Sequence, residues 1–262
     1  MINNYKHGIN DFLSSIKRVD LWIYLAFFDI KMKYRRSYIG PWWETISTGL
    51  IIATLGILWS KIFQMDISIY LPYFAVGFVM WSFIATQINE SCEIFYFHQS
   101  IILNIQIPYN SFLLRLAFKN LLILFHSILL LIPIIIYSVG LEFIFLFSAI
   151  GLFLLFLNLT FLSVVVGIFC LRFHDTKYAV NNIIQVLFFA TPIVWMPGLL
   201  REMSWLLEFN PFYHWINIIR DPILSSNIPY FSVMISVITI LLLSTLSFYL
   251  LGRVKKRIPF WY

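Results

Sequence analysis

Four positive charges close together, Lys31, Lys33, Arg35 and Arg36, are the residues best suited to bind a ligand. An arginine guanidinium fits a phosphate in a bidentate manner, whereas a lysine acts as a point charge. Two interpretations stay open. The cluster contacts the phosphates of ordinary membrane lipids, or Arg35 and Arg36 also meet the phosphates of a lipid-linked substrate.

Catalytic chemistry has no comparable signal. The phosphate-binding loop Gly-x-x-x-x-Gly-Lys does not occur in the sequence, so ATP binding of that kind is not expected. Cys92 and Cys170 end apolar runs on the predicted cytoplasmic side, where a disulfide is not expected. We therefore predict no enzyme activity, metal site or cofactor in this chain. The histidines have no metal-ligand spacing: His7, His98, His126, His174 and His214.

The composition excludes a soluble domain. The chain is 61% hydrophobic and 11% charged, with a mean hydropathy of +0.86, whereas soluble proteins carry about 25% charged residues. The net charge of +6 comes from residues at the edges of apolar runs, which favours a role at the membrane edge over nucleic-acid binding. The predicted fold is an all-α polytopic membrane protein with a single transmembrane domain over residues 1–262.

Six membrane-spanning helices are predicted, because about 20 apolar residues cross a bilayer. They are Trp42–Phe63, Leu71–Gln87, Phe112–Val139, Phe143–Cys170, Asn181–Met196 and Tyr230–Leu251. Lysine and arginine concentrate on the side of the termini, and only Lys61, Arg201 and Arg220 fall on the other side. The positive-inside rule then makes both termini cytoplasmic, with a six-helix core over residues 40–251 and a tail over 252–262.

The segment before the first span, residues 1–36, is predicted to be a cytoplasmic arm. Its first 19 residues are polar and expected to be loosely structured. Leu21–Ile30 is apolar but too short to span, so we predict an amphipathic helix lying at the membrane interface. Gly40-Pro41 then breaks the backbone, and a pair of tryptophans stands at headgroup level. The apolar face of the interfacial helix is predicted to hold Leu21, Leu25, Phe28 and Met32.

Two connections between spans carry structure of their own. Asn89–Ser111 is polar, cytoplasmic and long enough for a short helix across the membrane face. Pro197–Pro229 is external and too apolar for a soluble loop, although Pro211 and Pro222 break it up. We predict short re-entrant or interfacial helices there, because non-helical backbone survives at that depth only when protein covers it.

The predicted spans are nearly free of ionisable groups. Only His126 lies deep, where one hydrogen bond to a neighbouring helix is its expected role. A proton-coupled carrier would need charges in mid-membrane, and a membrane-embedded transferase would need buried acid, base or metal residues. Both classes are disfavoured, and the energy for any transport would come from outside this chain.

Several motifs carry a resemblance. Tyr34-Arg35-Arg36-Ser37-x-x-Gly40-Pro41-x-Trp43-x-Thr45-Ile46-Ser47 resembles the entrance motif of permease subunits of ABC exporters for O-antigen and related polysaccharides, in the ABC type-2 permease family. Arg172-Phe173-His174-Asp175 followed by Thr191-Pro192-Ile193-Val194 is similar to the fifth-helix region of that family, and Asn210-Pro211-Phe212-Tyr213-His214 with Arg220-Asp221-Pro222 is similar to its external segment. One departure is the coupling loop, where no basic residue stands beside Pro108.

The resemblance implies partners and a location. Such permeases form homodimers, and two separate nucleotide-binding ATPase subunits, which bind ATP and Mg, dock on the cytoplasmic side. The implied substrate is an undecaprenyl-linked polysaccharide, moved across the bacterial inner membrane from cytoplasm to periplasm. Membrane lipid would surround the chain, and no nucleic acid is expected. A capsule or teichoic-acid polymer, or a drug or other lipid, is the alternative cargo of the same fold.

The resemblance also implies roles for three groups of residues. The substrate entrance would be formed by Tyr34, Arg35, Arg36, Trp42 and Trp43. Coupling to the ATPase would be carried by Glu93, Tyr96, His98, Gln99, Asn104, Arg172, His174 and Asp175. The external gate would be formed by Trp205, Asn210, Tyr213 and Arg220. Among the aromatic residues, a minority could line a polysaccharide path, with candidates Trp42, Trp59, Trp81, Phe188, Phe189 and Trp195.

Overall fold

The structure, a computed structural model, describes residues 2–138, 140, 145–199 and 204–262, and the regular structure in these ranges is helical. The predicted all-α class is therefore confirmed. The helices are α1 (Ile2–Ile16), α2 (Val19–Lys33), α3 (Trp42–Ile62), α4 (Ile67–Ser91), α5 (Ile94–Phe97), α6 (Gln99–Asn104), α7 (Asn110–Ser138), α8 (Phe145–Arg172), α9 (Thr176–Ala190), α10 (Ser204–Glu208), α11 (Pro211–Leu224) and α12 (Tyr230–Val254).

Five helices in the described ranges are long and apolar enough to cross a membrane: α3, α4, α7, most of α8, and α12. They correspond to the first four predicted spans and the sixth, so a polytopic helical membrane protein is confirmed. Helix α4 exceeds its predicted limits most clearly, because Asp66 caps it early by accepting a hydrogen bond from the backbone N–H of Ser68 at 2.9 Å. The predicted start of the fourth span, Phe143, lies outside the described residues.

The predicted fifth span has different limits in the structure. Helix α9 covers 15 residues and ends at Ala190, and residues 191–196, here called the outer turn, follow it without helical structure. Pro192 explains the early end, because a proline disfavours helical backbone in the residue before it. Thr191 accordingly has φ −97° and ψ 137°. The number of spans beyond the five stays a prediction.

Helix α4 is the centre of the bundle and packs against α3, α7, α8, α9 and α11. Its buried side chains include Tyr70, Phe74, Met80 and Ile84. Lipid tails are as apolar as these side chains, so helices in a membrane associate through close packing and interhelical hydrogen bonds. Helix α4 therefore has fixed neighbours along most of its length.

The prediction that residues 1–19 are loosely structured is wrong. Helix α1 occupies this segment and packs along the last turns of α12. Two glycines allow the crossing: a Cβ at Gly252 would overlap the carbonyl of Asn4, and a Cβ at Gly8 would overlap the backbone of α12. The sequence predicted little structure here because the segment as a whole is polar, its apolar residues occupying only part of the helix circumference.

Asp11 locks α1 to two other helices. One carboxylate oxygen, Oδ2, accepts hydrogen bonds from the backbone and side-chain nitrogens of Asn110 at 3.0 and 3.1 Å. The other, Oδ1, lies 2.6 Å from Nζ of Lys255. The second half of α1, the start of α7 and the end of α12 therefore meet at one end of the bundle, which we call the terminal end.

Helix α2 confirms the predicted short helix. It packs on α7 through Ala26, which is fully buried, and through Asp29, which accepts hydrogen bonds from Arg115 at 2.6 and 2.5 Å. Phe28 and Met32 of the predicted apolar face are about half exposed, and the position of this face in the membrane interface stays a prediction. The ion pair decides the orientation, because a buried arginine without its partner would be costly.

The predicted short helices at the opposite end of the bundle are α10 and α11. Helix α11 lies inside the protein and contacts α4, α8 and α12. Pro211 starts it, as prolines favour the first turn. The prediction that Pro222 interrupts this segment is wrong, because Pro222 lies in the last turn of α11. The nearby carbonyl of Ile218 faces Gly151, where any side chain would overlap it.

Candidate functional site

A single carboxylate joins the end of α2 to the start of α3. Oε2 of Glu44 accepts a hydrogen bond from the Tyr34 hydroxyl at 2.9 Å and lies 3.2 Å from Nζ of Lys33. Burial raises the pKa of Tyr34, and the nearby carboxylate adds to this effect. Loss of hydration lowers the pKa of Lys33, but the attraction and hydrogen bond to Glu44, together with the charges of Tyr34 and Glu90, outweigh it, so the net shift is upward. The predicted entrance residue Tyr34 thus lies at a fixed joint.

The predicted phosphate-binding arginines are accessible at this joint. Arg35 and Arg36 are exposed, and Trp42 and Trp43 are 47% and 53% exposed. Gly40, with φ +63°, turns the chain between the two pairs, a conformation that glycine adopts without strain. The two arginines and the two tryptophans are therefore accessible on either side of this turn, and their role in substrate entry stays a prediction.

The expected hydrogen bond from His126 to a neighbouring helix is replaced by one within its own helix. Its Nδ1 lies 2.9 Å from the carbonyl oxygen of Leu122, one turn earlier in α7. The neighbouring helix supplies a ring contact instead, because Trp42 meets the imidazole edge-on with centroids 5.8 Å apart.

The two predicted coupling segments touch each other. Glu93, directly before α5, forms an ion pair with Lys177 in the first turn of α9. The hydrogen bond from Lys177 to this carboxylate raises the lysine pKa. One turn further, the rings of Tyr96 and His174 meet edge-on at 5.1 Å. Segments that are far apart in sequence therefore form one contact surface at the terminal end.

The other predicted coupling residues surround this contact. His98 links α5 to α6, with its Nδ1 2.8 Å from the carbonyl oxygen of Ile94, and burial lowers its pKa. The guanidinium of Arg172 lies 5.4 Å from the ring centroid of Trp261 near the C-terminus. Asp175 is exposed in front of α9. In α6, Gln99 is half-buried, and Asn104 donates to the carbonyl of Ser100 at 2.8 Å.

A groove of about 860 Å³ runs between α4 and α9. Its base, at the terminal end, holds Glu90 and the pair formed by Glu93 and Lys177. Hydroxyl and amide side chains line the next section, and aromatic rings line the far section. The polar lining is Ser82, Thr86, Asn89, Asn181 and Gln185, and the aromatic lining is Phe78, Trp81, Phe188 and Phe189.

A polar network stands behind the base of the groove. Asn120 of α7 donates to Gln87 and Glu90 of α4, each at 2.9 Å, and Lys119 donates to Glu90 at 2.8 Å. Gln87 in turn donates to Ser163 of α8 at 2.9 Å. Three spanning helices are thus linked at one level, which fixes the wall that α4 contributes to the groove.

The outer turn is held by α4 and α11 at the opposite end. Arg220 is 2% exposed and donates to the carbonyl of Pro192 at 2.8 Å and to Asn217 at 2.7 Å. The hydroxyl of Tyr73 donates to the same Pro192 carbonyl at 2.9 Å, and the Tyr70 hydroxyl donates to Val194 at 2.5 Å. The carbonyls of a non-helical segment are therefore satisfied by side chains.

The four predicted external-gate residues have different settings. Asn210 caps α11 by accepting from Phe212 N–H at 3.0 Å and donates to Thr191 of the outer turn at 2.9 Å. Arg220 is interior, as described. Tyr213 is half-buried beside them, and burial raises its pKa. Trp205 in α10 is 56% exposed and stands apart from the other three.

Reasoning from sequence missed residues that complete these sites. Tyr70 and Tyr73 were not singled out, although their three-residue spacing places them on one face of a helix. The Asp29–Arg115 pair was also missed. An acidic residue in an apolar helix, together with an arginine just inside a predicted span, was a signal for such a pair.

Comparison with known proteins agrees across most of the chain. A family model described as ABC-2 type transporter matches residues 21–224. The chain is 22% identical over 253 residues to the O-antigen export system permease protein RfbA of Klebsiella pneumoniae, covering 91% of this chain and 93% of that protein. A second Klebsiella pneumoniae protein of the same name is 22% identical over 245 residues, again with 91% and 93% coverage.

Proposed function

The chain belongs to the ABC-2 type transporter family, and from this premise we propose that it exports a lipid-linked polysaccharide of the O-antigen type, as part of lipopolysaccharide biosynthesis. Its similarity to two O-antigen export permeases supports the cargo. As an ABC exporter permease the chain provides the membrane passage, and ATP is hydrolysed by a separate subunit.

The ion pair between Glu93 and Lys177 is the observation that carries this proposal. It joins the two coupling segments and also forms the base of the groove between α4 and α9. A subunit that pushes on the start of α5 or on the start of α9 would therefore act directly on the ion pair at the base of the groove. Short elements of this kind suit the transmission of ATP-driven closure to membrane helices.

The lining of the groove favours a sugar over an apolar cargo. Sugars combine hydroxyl groups with apolar ring faces, so they pair with amide and hydroxyl side chains and stack on aromatic rings. The groove offers both kinds of surface, with Asn181 and Gln185 on one stretch and Trp81 and Phe188 on the next. A drug or lipid passage needs few polar groups.

The assembly follows from the same proposal. Two copies of this chain and two ATPase subunits form the exporter in the bacterial inner membrane, with both termini cytoplasmic. The terminal end then faces the ATPase subunits, and the outer turn faces the periplasm. Arg35 and Arg36 bind the phosphates of the undecaprenyl-linked glycan where it enters.

Reconstitution tests the proposal. The chain is purified alone and with its ATPase partner, and ATP hydrolysis is followed in liposomes with and without lipid-linked polysaccharide. We expect the chain alone to be inert, the pair to hydrolyse ATP, and the glycolipid to change the rate. Teichoic-acid polymers, drugs and simple lipids serve as competing cargoes. A rate that ignores every glycolipid and responds to one of those would overturn the proposed substrate.

A further inference from the structure

Helix α1 carries an exposed apolar stripe that the packing of the bundle leaves uncovered. Its residues recur at helical spacing, and their side chains are 36–50% exposed. The opposite part of the helix is occupied, because Gly8 and the buried Asp11 and Ser15 face the bundle. The stripe, here called the α1 stripe, consists of Tyr5, Ile9, Leu13 and Ile16.

The position of α1 is fixed at the level where a spanning helix ends. Gly8 lies against the backbone of α12 at Phe248, and Gly252 lies against Asn4, both within the last turns of α12. Phe12 packs between the rings of Phe161 and Phe248, with centroid distances of 5.5 Å to each. The ion pair of Asp11 closes the contact. Helix α1 is therefore a rigid part of the bundle at one membrane boundary.

The α1 stripe continues a surface that faces the bilayer. Leu242 and Leu246 of α12 are 64% and 42% exposed, and Tyr249 follows them on the same helical face. The ring of Tyr249 contacts that of Tyr5 with centroids 5.4 Å apart. Exposed apolar side chains thus run without interruption from a membrane-spanning helix onto α1.

Charge borders the same stripe. By helical periodicity, Lys6 and Lys17 project beside it on the flank away from α12, and both are exposed. An apolar stripe edged by lysines is the arrangement that places a helix in the plane of a membrane surface, with its apolar face among the acyl chains and its charges at lipid phosphates.

We propose that α1 lies in the membrane interface, with the α1 stripe inserted among acyl chains and Lys6 and Lys17 bound to anionic lipid phosphates. The occupant is lipid rather than a protein partner, because the stripe joins the lipid-facing row of α12 without a gap. The proposal does not depend on the cargo of the exporter. It adds a second interfacial helix before α2.

Spin-label accessibility tests the proposal. A nitroxide is attached to cysteines introduced by Leu13→Cys and, as the matched control on the polar flank, Asn10→Cys, in the full chain within lipid nanodiscs. Cys92 and Cys170 are buried, so the parent chain supplies the background signal. We expect the ratio of oxygen to nickel-chelate collisions to be several-fold higher at residue 13 than at residue 10. Equal ratios would overturn the proposal.

Two further variants keep the test decisive. Ile9→Cys repeats the measurement in case the label at residue 13 disturbs folding, which size-exclusion chromatography reveals. Lys6→Gln with Lys17→Gln tests the charge: the label at residue 13 should become less deeply inserted in phosphatidylglycerol nanodiscs and stay unchanged in phosphatidylcholine nanodiscs. An equal change in label depth in both kinds of nanodisc would contradict the proposed binding of the two lysines to anionic lipid.

Discussion

The guanidinium carbon of Arg220 lies 4.0 Å from the ring centroid of Tyr73, and both side chains donate to the carbonyl of Pro192. A cation stacked on an aromatic face in a buried place is worth about 2 kcal/mol. This pair joins α4, α11 and the outer turn, so it holds closed the end of the bundle that we assign to the periplasm.

Replacing Arg220 should destabilise the outer turn. Arg220→Gln removes the ring contact and the bond to Pro192, and we expect a loss of about 2–3 kcal/mol in the free energy of unfolding. Tyr73→Phe keeps the ring and loses the hydroxyl, which is shared between the carbonyls of Pro192 and Trp195, at a cost of about 1 kcal/mol. Thermal unfolding in detergent ranks the two variants. An unchanged midpoint for Arg220→Gln would contradict the role assigned to the pair.

Breaking the pair of Glu93 and Lys177 should impair coupling more than stability. Both side chains are about one third exposed, and ion pairs this open to solvent contribute little to stability. We expect Glu93→Gln to reduce glycolipid-dependent ATP hydrolysis by the reconstituted pair while the unfolding midpoint hardly moves. The charge swap Glu93→Lys with Lys177→Glu should restore the rate. A swap that fails as badly as the single variant would show that the contact itself is not what matters.

Mild acid should loosen α5 and α6 through His98. Burial lowers the pKa of this side chain below its usual 6.5, an effect to which the charge of Arg115 adds. The folded state then binds fewer protons than the unfolded state, so stability is full above pH 6.5 and falls as the pH drops below it. Unfolding midpoints across this range should fall less for His98→Gln than for the parent. Parallel curves would contradict the assignment.

The glycine at the crossing of α1 and α12 should not tolerate a side chain. Gly252→Ala places a Cβ onto the carbonyl of Asn4, and the resulting displacement should cost about 1–3 kcal/mol. Trypsin should then cut faster at Lys17 and Arg18. Gly198→Ala is the control, because a Cβ there has open space. Equal cleavage rates in the two variants would mean that α1 does not need this close approach.

The exposed arginines of the entrance should affect glycolipid binding alone. Arg35→Gln with Arg36→Gln should raise the glycolipid concentration needed for half-maximal stimulation of ATP hydrolysis, since each arginine that binds phosphate contributes a charge-assisted bond of about 1.5–3 kcal/mol. Lys31→Gln, a nearby exposed charge, is the control. If all three substitutions act alike, the cluster contacts lipid phosphates without selecting the cargo.

Sequence predicts well what depends on local composition. The length of an apolar run and the Gly40-Pro41 break are enough to predict the end of α3 within one residue. Pro192 likewise marks the end of α9, although the predicted span ran past it. The distribution of lysine and arginine predicts that both termini are cytoplasmic, which stays a prediction.

Contacts across the bundle were beyond such reasoning. The hydrogen bond from Tyr70 to Val194 joins residues 124 positions apart, and the sequence around either residue does not identify the other as its partner. Helix α1 failed for a related reason. Its packing depends on the close approach to α12 at Gly8 and Gly252. The proportion of polar residues in the first segment does not reveal this contact.

Helix α4, with the residues that follow it up to Glu93, is joined to α9 at both ends of the groove. Glu93 and Lys177 join them at the base, and Tyr70 and Tyr73 bind the turn that follows α9. The two form a closed frame, and α4 spans about 37 Å of it. Because the two helices are linked at both ends, a displacement at the base of the groove should also change the outer turn. The coupling free energy between the two ends is the same in both directions. An antibody fragment that binds one conformation of the outer turn should therefore change the affinity for nucleotide on the far side of the bilayer. Nucleotide should change the affinity of the fragment for the outer turn by the same factor.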